Sequence, residues 1–228
     1  MSEDYYINRL YPLQDEVLTT VGKIDTSFYL TGGTNLSRFL LNHRYSDDLD
    51  FFVNGSPKFT QEVEQVVSRL NDNGKVSWGL KDESFCRVFV ERDNVKLKLE
   101  FVNDVKYRVG LPARSHSGFL LDTWENILSN KITALSRSAA KDFIDVLFLS
   151  LTFSFNWEEM INHAKQKDAW IAEHEIANFF IKLDMERLQE VAFPSSFNFK
   201  SIKFNYFETL ARDAFNGSDN SLVGAKFI

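Results

Sequence analysis

Gly32-Gly33-Thr34, then Asp48-Leu49-Asp50, then Glu100 inside a lysine-rich run are the residues of this chain whose types and spacing could do chemistry. Asp48-Leu49-Asp50-Phe51-Phe52-Val53 has the composition of a strand, in which alternate side chains share a face, so Asp48 and Asp50 point the same way and Leu49 points into the core. Two like charges about 5 Å apart repel by roughly 1 kcal/mol in water and roughly 3 kcal/mol at an effective dielectric of about 20. The pair therefore calls for a cation, a proton or full solvation. Further on, Val95, Leu97, Leu99 and Phe101 alternate with Lys96, Lys98 and Glu100, the pattern of a second half-buried strand. If the two strands are neighbours in one sheet, Glu100 joins Asp48 and Asp50. An all-oxygen set suits Mg²⁺ or Mn²⁺, one ion or two, with water and substrate phosphates completing the shell. Zinc is a poor match, since Cys86 is the only cysteine and the four histidines are scattered.

Upstream, Phe28-Tyr29-Leu30 reads as a short buried strand, and Leu36, Phe39 and Leu40 as the inner stripe of a helix beginning near Thr34 or Asn35. Gly32 and Gly33 then occupy the strand-to-helix turn. Two glycines let the backbone approach a ligand closely, and the free N–H groups of a helix start favour an anion, so the turn can hold the phosphates of a nucleotide. It is not a Walker loop, because the spacing and the closing Lys-Ser/Thr are missing. Each signal has an ordinary alternative: Gly-Gly is commonly just a turn, and Asp-x-Asp is common on solvated surfaces. The ordered conjunction of strand, glycine turn, helix, acid pair on a second strand and acid on a third favours a functional site.

Tyr29-Leu30-Thr31-Gly32-Gly33-Thr34-Asn35-Leu36-Ser37-Arg38 and His43-Arg44-Tyr45-Ser46-Asp47-Asp48-Leu49-Asp50-Phe51-Phe52 resemble the first motif of the AbiEii/AbiGii family. These are nucleotidyltransferase-like toxins of bacterial abortive-infection systems, within the DNA polymerase beta superfamily. The segment from Glu125 to Arg137, continuing to Lys141-Asp142-Phe143-Ile144-Asp145-Val146, is similar to the family's later motifs, a helical lysine followed by a basic-Asp-x-x-Asp signature. The resemblance implies a reaction in which a nucleoside triphosphate (NTP) gives its nucleoside monophosphate to an acceptor and releases pyrophosphate. It implies that Gly32 and Gly33, with Thr34 beside them, hold the triphosphate, that Asp48 and Asp50 hold magnesium, that Lys131 contacts the triphosphate, and that Asp142 or Asp145 supplies a base or an orienting acid. It also implies an acceptor such as tRNA, another RNA or a protein, and a cognate antitoxin as partner.

The physical roles fit independently of the resemblance. Nucleotidyl transfer depends mainly on positioning and on neutralising charge at phosphate oxygens, a role open to Lys131. On one continuous helix Lys131 would lie roughly 20° from Asp142 and roughly 40° from Asp145, at about 100° per residue. Ser136-Arg137-Ser138 can interrupt that helix, and the ordinary alternative is a solvated helix face with local ion pairs. Arg44 and Ser46 stand close enough before the acid pair to orient Asp48 or to touch a phosphate, although an arginine at a loop-to-strand junction is more commonly a structural clamp. Lys98, on the face of Glu100, can pair with it, contact the nucleotide, or blunt an edge strand. His43 and His116 suit surface or core positions as well as catalysis, and no serine-histidine-aspartate arrangement is evident.

Composition bounds the rest. A chain of 228 residues with 44% hydrophobic content and four prolines can bury a real core and is not disordered. One cysteine gives no disulfide framework and fits a reducing compartment. Met1-Ser2-Glu3-Asp4-Tyr5 lacks a basic and apolar leader, and no apolar stretch approaches about eighteen residues, so a cytoplasmic protein without a membrane partner is expected. A net charge of −6 argues against general nucleic-acid binding. The stretch holding Lys96, Lys98, Lys106, Arg108 and Arg114 against Glu100 and Asp104 is locally positive; it can track an acceptor's backbone or be a solvated loop.

The elements that must position these residues read as an α+β fold: a nucleotidyltransferase-like mixed β-sheet with flanking helices over residues 1–122, then a helical domain over 123–228 contributing Lys131 and the Asp142/Asp145 motif. Helical spacing runs from about residue 3 to 21, where Pro12 predicts a kink or a fresh start. A helix is expected from about residue 59 to 73, and strands near 76–80, 85–91 and 95–103, separated by turn signals at Asp72-Asn73-Gly74 and Arg92-Asp93-Asn94. Helices are expected near 125–151, 157–167, 171–181 and 204–215, with Phe143, Phe148, Trp157, Phe179 and Phe180 as core. Beside nucleotidyl transfer to RNA or protein by a toxin-like component stand two other functions: an inactive member that binds a nucleotide or a partner, and transfer to a small molecule. An aromatic, acid-lined pocket would favour the small molecule, and an open basic groove would favour RNA.

Overall fold

The structure, a computed structural model, describes residues 1–72 and 74–227; Asn73, expected at a helix end and in the turn before Gly74, lies outside them. The chain forms two compact units, one of Met1–Phe39 and Tyr45–Thr123, the other of Leu40–Arg44 and Trp124–Ile228. The chain therefore passes to the second unit one residue beyond the expected 122/123 boundary, and Leu40–Arg44 groups with the helical unit.

In the first unit seven strands among the described residues form one mixed sheet: β1 (Tyr29–Thr31), β2 (Leu49–Asn54), β3 (Lys75–Lys81), β4 (Phe85–Arg92), β5 (Val95–Asp104), β6 (Ala113–Arg114) and β7 (Leu120–Leu121). Their order is β3-β4-β5-β2-β1-β7-β6. The period-two pattern chooses the faces. Leu49, Phe51 and Val53 of β2, Val88 and Val90 of β4, and Leu97, Leu99 and Phe101 of β5 are buried, while Asp50, Arg87, Lys98 and Glu100 between them are half-exposed. The buried face meets the helix Phe59–Asn71 through Phe59, Val63, Val66 and Leu70, a helical stripe. Phe28 joins the two layers, its ring 6.0 Å from Phe59 and 5.1 Å from Phe101.

Pairing directions fix what stands beside what. Antiparallel β1–β2 pairing sets Thr31 against Asp50, parallel β2–β5 pairing sets Asp50 against Glu100, and antiparallel β4–β5 pairing sets Arg87 against Glu100. Thr31, Asp50, Glu100 and Arg87 thus form one row across four strands. The hairpin between β4 and β5 turns on Asp93 and Asn94, both at positive φ (47° and 60°), as a two-residue turn requires.

Some expectations need correcting. Residues 3–22 are helical, but Tyr6–Leu10 widens into π-turns just before Tyr11–Gly22, where Pro12 stands near the start and its missing N–H costs little. A second widening at Leu36–Leu40 follows the single α-turn Gly32–Asn35. Wider turns change the angular spacing of side chains, so Leu36 is buried while Phe39 and Leu40, expected on the same inner stripe, are 37% and 41% exposed. Strands β6 and β7 were not anticipated, since two residues cannot display an alternation.

The second unit is helical, with Trp124–Ala134, Ala140–Thr152, Trp157–Lys165, Glu173–Ile181 and Phe204–Asn216 as its longer helices. The helical stretch expected over 125–151 is interrupted where Ser136-Arg137-Ser138 allowed it: a 3₁₀ turn at Leu135–Arg137 and Ser138 in the left-handed region (φ 54°) divide it into two helices. Trp157, Phe143 and Phe180 are buried core as expected, whereas Phe148 and Phe179 are half-buried. Lys167 ties the Trp157–Lys165 segment to the Trp124–Ala134 helix, its ammonium donating to Asn126 Oδ1, Ser129 Oγ and Asn130 Oδ1 at 2.7, 2.7 and 2.5 Å. Among the described residues no helix is long and apolar enough to cross a membrane.

Candidate active site

The glycine turn and the acid pair meet because β1 and β2 are neighbours. Gly32 follows Thr31 directly and has φ +66°, and a Cβ on it would stand 2.6 Å from Asp50 Oδ2. Only glycine leaves room there for the carboxylate and accepts that backbone without strain. Asp48 precedes β2 by one residue, on the same side as Asp50. The loop leading to it is fixed from three directions. The Thr34 hydroxyl donates to the Asp48 carbonyl, which can only accept, so the Ser46 hydroxyl 2.9 Å away donates to Thr34 in turn. The buried Gln14 amide donates to the carbonyls of Ser46 and Asp47 at 3.1 and 3.2 Å. Arg38 holds Gln14 Oε1 at 3.1 Å and lies over the Tyr11 ring, 4.3 Å from its centroid.

Glu100 and Lys98 complete this group from β5. The Lys98 ammonium stands 2.8 Å from Asp48 Oδ2 and 3.3 Å from Glu100 Oε1, and the Arg87 guanidinium reaches Glu100 Oε1 at 2.7 Å. Partial burial pulls the Lys98 pKa down, but Asp48 and Glu100 outweigh it and leave it raised. Partial burial pushes the Glu100 carboxyl up, and Arg87 and Lys98 hold it below the usual range. No three His, Cys, Asp or Glu side chains are grouped to hold a metal ion among the described residues, so Glu100, expected as a third ligand beside Asp48 and Asp50, does not form a ligand set with them and is paired with Arg87 and Lys98 instead. The Asp48–Asp50 pair still offers the donor chemistry Mg²⁺ takes, since that ion is commonly held by one or two carboxylates and otherwise by water and substrate phosphates.

The remaining expected residues gather in the second unit around Asp145. Arg44 grips its carboxylate fork to fork, Nε to Oδ1 at 2.7 Å and Nη2 to Oδ2 at 2.8 Å. Lys131 bridges Asp145 Oδ2 and Asp142 Oδ1, each at 2.6 Å, and Arg137 reaches Asp142 Oδ2 at 3.3 Å. All but Arg137 are buried, so this is not the solvated helix face that the spacing also allowed. Because the helix breaks at residues 135–139, the shared face expected of one continuous helix is absent; a helix pair brings Lys131 to both aspartates instead. Burial would raise the Asp145 carboxyl, but Arg44 and Lys131 hold it well below the usual range. Burial would lower Lys131, but Asp145 and Asp142 keep it raised. His43 donates from Nε2 to Asp145 Oδ1 at 2.8 Å, and burial lowers its pKa despite that carboxylate, which leaves it neutral.

Arg44 therefore serves as a clamp on Asp145, and Ser46 is held in the first unit by Thr34 and Gln14. Gln14 was missed by sequence reasoning; its one visible signal is a polar residue on the apolar stripe Leu10, Leu13, Val17. Asp122, Thr31 and Arg108 were also missed. Asp122 follows a two-residue strand that the sequence does not announce.

A glycine turn packed against an aspartate pair on a mixed sheet, followed by a helical unit, is the architecture of a nucleotidyltransferase. The fold is shared with two solved proteins of Helicobacter pylori. A candidate nucleotidyltransferase matches with a TM-score of 0.60 and 20% identity over 95% of this chain and 96% of that one. The protein JHP933 matches with a TM-score of 0.59 and 19% identity over 95% and 94%. No curated protein sequence matches the chain. The family model for the nucleotidyl transferase AbiEii toxin of type IV toxin–antitoxin systems matches residues 18–216, and the chain belongs to that family. It is accordingly a nucleotidyltransferase, as the motif resemblance implied.

Proposed function

We propose that the protein transfers a nucleoside monophosphate from an NTP to an acceptor, RNA or protein, with Mg²⁺ or Mn²⁺ held by Asp48 and Asp50. The observation that carries this is the approach of the Asp50 carboxylate to Gly32, which leaves no room for a side chain between the acid pair and the turn. The turn Gly32-Gly33-Thr34 receives the triphosphate through close backbone approach. A divalent ion there would neutralise phosphate charge and polarise the scissile P–O bond. Lys98, paired with Asp48 and Glu100, is placed to exchange a carboxylate for a phosphate oxygen when nucleotide arrives, while Arg87 keeps its hold on Glu100. Buried and doubly paired, Lys131, Asp142 and Asp145 suit a positioning role within the second unit: Asp145 grips Arg44, and Lys131 ties Asp145 to Asp142. As a member of a type IV toxin–antitoxin family, the protein is expected to be paired with a cognate antitoxin that counters it.

Incubation with each labelled NTP, magnesium, and total RNA or total protein tests the proposal. Label should move to one acceptor pool with the wild type and not with Asp48→Ala. Equal labelling by the variant, or transfer indifferent to chelation of divalent ions, would count against the mechanism.

A further inference from the structure

Asp122 takes no part in the reaction as proposed, yet its carboxylate is fully buried and three groups converge on it. Strand β7 runs parallel to β1, with Leu120 beside Tyr29 and Leu121 beside Leu30, so Asp122 comes level with Thr31, the residue before Gly32. The Thr31 hydroxyl donates to Asp122 Oδ2 at 2.6 Å, and Arg108 Nη2 and the Thr123 N–H donate to Oδ1 at 2.7 and 2.9 Å. Its backbone is tied to the same place: the Asp122 N–H donates to the Leu30 carbonyl at 3.0 Å. The buried Asn35 amide donates to the carbonyls of both Leu30 and Asp122, at 3.0 and 3.1 Å. Asn35 lies in the helical turn that starts at Gly32, so Asp122 is fastened to the chain on both sides of the glycines. Arg108 is itself held in place, its guanidinium 4.5 Å from the centroid of the Tyr29 ring.

We propose that Asp122 is a positioning residue for nucleotide binding: through the Thr31 hydroxyl and Asn35 it fixes the Gly32-Gly33 turn in the conformation that receives the triphosphate. This rests on the reading of that turn as the triphosphate site. A turn shaped by backbone alone has no side chain of its own to hold its geometry, and positional errors near 1 Å at a binding site cost affinity steeply. Asp122 supplies the missing constraint from the neighbouring strand.

Binding of each of the four ribonucleoside triphosphates, with magnesium, to wild type, Asp122→Asn, Thr31→Val and Thr31→Ser separates the outcomes, with transfer rates and melting temperatures measured in parallel. Asp122→Asn and Thr31→Val should weaken binding by on the order of tenfold or more, while kcat at saturating nucleotide changes by no more than about threefold. Thr31→Ser keeps the hydroxyl and should bind as the wild type does. Should Asp122→Asn fail to fold, the two Thr31 variants carry the test. Wild-type affinity in Thr31→Val, or a loss in Thr31→Ser as large as in Thr31→Val, would overturn the inference. A wild type that binds none of the four would overturn the reading of the turn and this inference together.

Discussion

Carboxylates and cations meet in both units, and the two clusters differ in exposure and in charge balance. Among the buried members of the second unit's cluster Asp142 and Asp145 face Lys131 and Arg44, two against two, beside a neutral His43, while Arg137 reaches Asp142 from the solvent side. In the first unit Lys98 pairs with Asp48 and Glu100 and Arg87 with Glu100, and Asp48, Asp50, Glu100, Lys98 and Arg87 all keep some access to solvent. A buried cluster has to close its charge internally, because an unpaired ion there costs several kcal/mol. A half-exposed one can remain negative, and residual negative charge is what a divalent cation requires. On the proposed reading the buried cluster of the second unit is architecture and the half-exposed cluster of the first unit is chemistry.

The sharpest way to break that comparison is Asp145→Asn. Arg44 and Lys131 would lose their shared counter-charge in a dry site, so a loss of about 3–5 kcal/mol is expected, read as a lower urea midpoint with an unchanged slope. A loss below about 1 kcal/mol would show that water or rearrangement compensates, and the cluster would not be the clamp described.

Asp50→Asn should do the opposite. Transfer should fall by roughly 10²–10³-fold, while stability stays within about 0.5 kcal/mol because the carboxylate is only half-buried. Measuring both quantities on one preparation makes the contrast direct. If Asp50→Asn unfolds the protein as readily as Asp145→Asn, the first cluster is structural too.

How much of this was legible in the sequence follows from the range of each interaction. Strand β2 and strand β5 could be read because six or more residues alternate cleanly, and with them came the shared direction of Asp48 and Asp50. That β2 and β5 are neighbours was a condition the residues could not settle, and the register now sets Asp50 opposite Glu100. Lys131 and its aspartates come from the motif resemblance, and the interruption that Ser136-Arg137-Ser138 allowed is present at Ser138, so a helix pair and not one helix face brings them together. Gln14, Asp122 and Arg108 act across 14 to 91 residues of sequence, and no spacing rule reaches so far.

A smaller effect distinguishes strain from function. Gly32 and Gly55 both have φ near 60°, and a Cβ on either would come within 2.6 Å of a side chain, Asp50 Oδ2 in one case and the flexible Lys106 Cγ in the other. Each Gly→Ala change should cost roughly 1–2 kcal/mol for the left-handed backbone. Only Gly32→Ala should also depress nucleotide transfer, since its new methyl group displaces a proposed metal ligand. Equal activity loss in both variants would mean that general strain, and not the turn, governs the rate.

The mildest expected effect lies in pH and concerns the buried cluster alone. His43 faces Asp145, Arg44 and Lys131, and burial holds its pKa below the ordinary histidine value of 6.5 in the folded protein. Between the folded value and 6.5 the unfolded chain binds more protons than the folded one, so stability is fully present above 6.5 and is lost as pH falls through that window. Asp145 behaves likewise in a lower range: its carboxyl is depressed, so its contribution is complete above 3.8 and declines only below it. Urea midpoints taken from about pH 8 down to about pH 3 should therefore decline below about 6.5 for the wild type. His43→Gln, which keeps a donor for Asp145 without a titrating ring, should flatten that limb and leave the fall below 3.8 in place. An unchanged limb in His43→Gln would mean that His43 accepts its proton inside the fold, and the two-against-two balance of the second unit would no longer hold.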